Sequence, residues 1–187
     1  MTQRIYSKLA PFKLEAINNG KKADKMKTLM LALTASALVA APAFAQDTVK
    51  QTSIATTLAV DIAQAAVSAC TADGYYVSAP VRARSGLVCA RLHAENAAAH
   101  TADASTQKAF TSASSRNPTS AIAENVSKNP VAAGMSDIPG FLVLAGGVPI
   151  KAGKDTIGAI GVAGAPGGNL DEACANEAIE TVSARIK

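Results

Sequence analysis

An α+β fold is what this sequence predicts: a largely antiparallel sheet of about four to five strands flanked by helices, in the order α-β-β-α-α-β-β-α. Three observations predict it. Two pairs of short apolar runs are each joined by a turn signal, Arg84-Ser85-Gly86 in the first and Lys151-Ala152-Gly153-Lys154-Asp155 in the second. Longer stretches with apolar residues at helical spacing open and close residues 46–187. Hairpins separated by helices, rather than strands alternating singly with them, favour antiparallel pairing.

The first helix is expected over Ser53–Asp73, where Ile54, Leu58, Ile62, Ala65, Ala66 and Ala69 recur on one face and Gly74 stands at the C-terminal stop. Tyr75–Val81 and Leu87–Leu92 read as the first hairpin. Residues Ala94–Ala104 are weakly patterned and read as a loop with room for one helical turn, framed by His93 and His100, the chain's two histidines. A second helix is expected over Ser105–Ser114, and a short one capped by Thr119 or Ser120 through Ser127. Asn129–Gly140, with two prolines, reads as a loop.

The segment Phe141–Asp171 organises the rest. Val148–Ile150 and Ile157–Ala163 form its hairpin, with Gly153 free to supply a positive φ at the turn. Gly158, Gly161 and Gly164 fall three apart, so another backbone or a flat ligand can approach closely there. Asn169 with Glu172 reads as a capping box for a last helix over Leu170–Ile186. Asp171 and Glu172 at its start and Arg185 at its end suit the helix dipole.

A leader precedes this domain. Met26-Lys27, the apolar run Leu29–Ala41, Pro42 and the small-x-small signal Ala43-Phe44-Ala45 make a secretory signal peptide over residues 26–45. Its apolar run is too short to span a membrane, so no stable insertion is expected after cleavage. Residues 1–25 read as a spurious or extended N-terminus, and residues 46–187 as one exported domain, periplasmic or secreted.

Residues 1–45 hold seven Lys and Arg against two acids, a net of +5. The whole chain is 18 minus 14, or +4, so residues 46–187 are 11 minus 12, or −1. The basic balance therefore belongs to the leader, and nucleic acid is excluded as a partner. Cys70, Cys89 and Cys174 have spacings that match no metal or redox motif; export would permit one disulfide, but small buried thiols are the simpler expectation.

No P-loop, dinucleotide fingerprint, nucleophile elbow or His-Glu-x-x-His pair is present. Cys-x-x-Cys-His is also missing, so any haem would be held non-covalently. His93 and His100 are candidate haem-iron ligands, although an exposed loop histidine is more often only that. Arg82 and Arg84, two apart, share a strand face if the strand extends that far and could bind a carboxylate.

The hairpin and its flanks resemble the signature of the GlcG/HbpS family of haem-binding proteins, the DUF336-type domain. The matching residues are Gly146-Gly147-Val148-Pro149-Ile150, Ile157–Gly164 and Asp171-Glu172-Ala173-Cys174-Ala175. Ala104-Ser105, Lys108-Ala109, Thr111 and Arg116-Asn117-Pro118-Thr119 resemble the family's central helix and the turn after it. The similarity spans roughly residues 53–187. It implies an α+β domain that forms homo-oligomers, haem binding in some members, and exported members that work with envelope sensor proteins. The family's implicated threonine falls on Thr111. The sequence departs from the family pattern at Arg91-Leu92-His93-Ala94, where extra residues bring in His100.

The leading expectation is an exported protein that binds haem b without a covalent link, in haem capture, storage or sensing. Thr111, His100, His93 and Lys108 are its candidate haem-contacting residues, with His100 and His93 as the candidate iron ligands. The alternatives are a haem-independent carboxylate-binding protein or enzyme using Arg82, Arg84 or Lys108, and an interaction module for an envelope sensor.

Overall fold

The computed structural model describes residues 48–186. The expected N-terminal extension and signal peptide lie outside the described residues. Among residues 48–186, no helix is long and apolar enough to cross a membrane. Among the described residues, four α-helices and four strands follow one another in the predicted order: α1 (Thr56–Ala72), β1 (Ser78–Ala83), β2 (Val88–His93), α2 (His100–Ser115), α3 (Thr119–Lys128), β3 (Gly147–Ala152), β4 (Asp155–Gly161) and α4 (Gly168–Thr181). Short 3-10 segments, Pro130–Asp137 and Ser183–Arg185, follow α3 and α4.

The four strands form one sheet in the order β2-β1-β4-β3, with every neighbouring pair antiparallel. Gly86, at φ 87°, turns the chain between β1 and β2, and Gly153, at φ 58°, does the same between β3 and β4. Both turns use the left-handed region that glycine enters without a Cβ penalty.

Helices cover both faces. Val81, Ile150 and Ile160 from the sheet meet Ile62, Ala63 and Ala66 of α1 and Ala175 and Ala178 of α4 in the main core. The short side chains of the two helices let them pack closely on the strands. Cys70 and Cys174 lie on those buried helical stripes, and a disulfide joins them across a sequence separation of 104, with the Cα atoms 5.5 Å apart. This corrects the expectation of buried free thiols; only Cys89 remains unpaired. The pairing was hidden because nothing local links α1 to α4.

The opposite face carries α2, brought unusually near by two glycines. A Cβ on Gly147 would sit 2.5 Å from the Lys108 carbonyl oxygen, and one on Gly161 would sit 2.5 Å from the Ala109 nitrogen. On Gly158 a Cβ would strike the Arg82 carbonyl at 2.5 Å. The glycine spacing therefore serves backbone against backbone, the first of the two readings the sequence left open.

Three boundaries differ from expectation for identifiable reasons. α2 begins at His100, five residues before the expected Ser105, without a side-chain cap; Ala-rich residues propagate the helix and Asp103 favours its first turn. α4 begins after Gly167 and not at an Asn169 cap. Glu172 instead accepts from Ser120 Oγ at 2.6 Å and the Gly146 N–H at 3.2 Å, tying α4 to α3 and to the start of β3. The last helix ends at Thr181, and Arg185 in the following 3-10 turn pairs with Asp61 of α1 at 2.7 Å.

Closing so long a loop removes chain entropy from the unfolded state, worth about 4–5 kcal/mol in the loop-closure account. Reduction, or the Cys70→Ala/Cys174→Ala pair, is expected to lower unfolding free energy by roughly that amount. Urea titrations with and without reductant measure it, and superimposable curves would show that the bond contributes nothing.

Candidate functional site

The site grows out of the glycine-rich crest that follows β4. Ala163 bridges back to Ser78, and Gly164, at φ 142°, lies directly against the Tyr76 backbone. A side chain on Gly164 would strike that backbone, so the crest can turn here only with glycine. The chain then enters α4, and its first turn returns Asp171 towards α2.

Lys108 meets it there. The ammonium donates to Asp171 Oδ2 at 2.7 Å and to the Val162 carbonyl oxygen at 3.0 Å. Asp171 Oδ1 accepts from the Ala165 N–H at 3.0 Å. The side chains are only 2% and 4% exposed, so both charges have lost nearly all their water. Burial raises the Asp171 carboxyl above the usual aspartate range, while the Lys108 ammonium and crest N–H groups pull it back. Desolvating two ions costs several kcal/mol each, and the geometry offsets that only while both partners are present. An ammonium carries three N–H bonds, and two are accounted for among the described residues.

Above this pair opens a cleft of about 680 Å³. Its walls are the crest from Ala163 to Gly168, the Gly74–Tyr76 segment, Leu144, and the N-terminal half of α2 with Asn96 and Ala98 before it. Tyr76 and Leu144 are about half exposed, 45% and 49%, so the rim presents apolar surface to an entering molecule. The volume falls within the range typical of small-molecule sites.

The structure separates the four candidate contact residues. His100 and Lys108 line the cleft, one at the rim and the other at the floor. His100 is exposed at the first position of α2, and no hydrogen bond engages its ring among the described residues. His93 ends β2 and is tied on both sides, with Nδ1 2.5 Å from Ser78 Oγ and Nε2 3.1 Å from the Ala97 carbonyl oxygen. That carbonyl can only accept, so Nε2 carries a proton, and neither ring nitrogen offers a lone pair to solvent. Thr111 lies farther along α2, fully buried. Its hydroxyl donates to the Gln107 carbonyl at 2.8 Å and accepts from the Leu142 N–H at 2.8 Å. It anchors the loop leading into β3 and does not line the cleft.

Arg82 and Arg84 part company at the end of β1. Arg82 stacks over the Phe110 ring at 5.3 Å, while Arg84 reaches Asp155 at 3.9 Å. Neither borders the cleft.

Ser78, Thr101 and Asp171 escaped the reading of the sequence as site residues. Thr101 Oγ1 lies 3.0 Å from Ser78 Oγ and donates to the Ala98 carbonyl at 2.7 Å, extending the His93 contacts to the cleft wall. For Asp171 a signal did exist. Thr101, Ser105, Lys108 and Ser112 form a buried stripe on α2, and a lysine on such a stripe requires an acidic partner.

The family described as "Haem degrading protein HbpS-like" matches residues 54–180. Among solved structures, a double mutant of Streptomyces reticuli HbpS is 36% identical, covering 74% of this chain and 92% of its own, with a TM-score of 0.69. The Klebsiella pneumoniae protein ORFY is 23% identical over 75% of this chain and 97% of its own, at a TM-score of 0.71. PduOC, solved in complex with haem, is 17% identical over 68% of this chain and 94% of its own, at 0.64. The last two show the shared fold. No curated protein matches the sequence.

Removing one partner of the buried pair strands the other. Lys108→Met alone is expected to cost about 3–5 kcal/mol, whereas Lys108→Met with Asp171→Leu recovers most of it. Chemical unfolding of the two single variants and the double variant measures the coupling; additive losses would refute it.

Proposed function

The chain belongs to the HbpS-like family, and from that premise we propose that it is an exported protein binding haem b non-covalently in the cleft. The observation that carries the reading is His100, an exposed histidine with no competing hydrogen bond, at the rim of a cleft of about 680 Å³. Histidine is a common axial ligand of haem iron, and His100 is the better placed of the two histidines to supply it. The apolar faces of Tyr75, Tyr76 and Leu144 would pack against a macrocycle. Lys108, with one ammonium N–H unassigned, would meet a polar edge of the ligand at the floor. His93 and Thr111 would act from behind, His93 by holding the 94–99 loop and Thr111 by holding the loop at Leu142.

Export rests on the signal sequence at residues 26–45, and the Cys70–Cys174 disulfide suits an oxidising compartment. In that setting the protein would capture, store or sense haem, as a homo-oligomer and with an envelope sensor as its partner. The family's description as haem-degrading makes breakdown of the bound haem a second reading with its own signature.

Haem titration of residues 46–187 tests both. A saturable, near-stoichiometric Soret band is expected, weakened and shifted in His100→Ala and retained in Thr111→Val. An unchanged spectrum in His100→Ala would exclude that ligand, and a response identical to free haem would exclude the site. Progressive bleaching of the bound band with a reductant and oxygen present would mark breakdown.

A further inference from the structure

Away from the cleft, Arg82 of β1 and Arg91 of β2 lie on the face of the sheet that α2 covers, and both reach Thr106. Arg82 Nε donates to the Thr106 carbonyl oxygen at 3.3 Å, and an Arg91 terminal nitrogen donates to the Thr106 hydroxyl at 2.5 Å. Arg82 also donates to the Gly86 carbonyl and lies over the Phe110 ring, which is itself set edge-on to Phe141 at 6.0 Å. The register of the β1–β2 pair slips between Val81 and Arg82, where Cys89 of β2 is the extra residue.

Two guanidiniums are thus fixed in place with no ion-pair partner among the described residues. The ion pairs among the described residues engage Arg84, Lys108, Lys128 and Arg185, and neither Arg82 nor Arg91. Asp103, one turn before Thr106 on α2, pairs with neither. A guanidinium carries five N–H bonds. Arg82 gives two to carbonyls, leaving three, and Arg91 gives one, leaving four. Burial, and then the charge of Arg91, lower the Arg82 pKa below its ordinary value, which marks the pair as near neighbours that repel.

We infer that Arg82 and Arg91 form an oxyanion site at the β1–β2 end of the sheet, taking a carboxylate or phosphate group across their two forks. An anion relieves the repulsion and uses N–H donors that are already oriented, and the fork geometry suits two-oxygen acceptors. The cleft contains neither residue, so the two sites are separate.

Calorimetric titration of the full protein with inorganic phosphate and with malonate, each against sodium chloride at matched ionic strength, tests this. Saturable binding of at least one anion is expected, weakened about tenfold or more in Arg91→Gln, the loss of one charge-assisted contact. Phosphate binding alone identifies a phosphoryl ligand, malonate alone a carboxylate. Arg91 is exposed, so its replacement should leave the fold intact. Arg91→Lys, which keeps the charge but loses the fork, serves if the glutamine variant does not fold. Binding no stronger than chloride, or undiminished affinity in the folded variant, overturns the site.

Discussion

The contact between α2 and the sheet is the constraint on which the rest of the molecule depends. Gly147 and Gly161 remove the side chains that would hold the helix off, and the helix meets them with Ala109 and the backbone of Ser105 and Lys108. Backbones this close leave no room for large apolar side chains, so this interface has little hydrophobic area per residue to stabilise it. Its specificity comes from shape and from polar contacts, including Arg82 Nε of β1 donating to the Thr106 carbonyl oxygen of α2 at 3.3 Å. The large apolar residues sit on the other face, under α1 and α4. The cleft lies where α2 meets the crest and the start of α4, with the Lys108–Asp171 pair at its floor.

That pair is a costly way to join two elements. Apolar residues of similar volume often stabilise a fold as well or better. What an ion pair adds is direction: Lys108 must reach Asp171 and the Val162 carbonyl together, which fixes α2, β4 and the α4 start in one arrangement. Any partial slip of α2 would bury a lone charge, so intermediate placements are penalised more than in an apolar contact. The crest is held by the same group, because Asp171 also accepts from Ala165. One buried carboxylate therefore organises the floor and one wall of the cleft.

The order of elements and the antiparallel sheet were legible because hairpin turns and helical periodicity are local signals. Gly86 and Gly153 mark their turns in the sequence as clearly as in the structure. Contacts over long separations were not legible. Cys70 and Cys174 carry no spacing rule that would pair them, and Glu172 looks like a capping-box member until α3 is seen beside it. His93 and His100 looked equivalent in the sequence, because nothing there shows which ring is already hydrogen-bonded. Thr111 stood out through a family pattern, but its buried hydroxyl donates to Gln107 and accepts from Leu142 inside the protein. Lys108 was legible as a candidate contact, but Asp171, the buried partner that takes part of its ammonium, was not.

The two histidines divide the work by their surroundings. His93 closes one end of the 94–99 loop through Ala97, and Thr101 closes the other through Ala98, with Ser78 of β1 bridging them. The loop is thereby pinned to the sheet at both ends, which places His100 at the first turn of α2 beside the cleft. A ligand-binding side chain on a loose loop loses affinity to the entropy of ordering it. Here the ordering is carried out in advance by hydrogen bonds within the protein. In the proposed reading, the additional residues around His100 are therefore useful only together with His93: without the anchored ring the exposed one would have no fixed position from which to reach a metal.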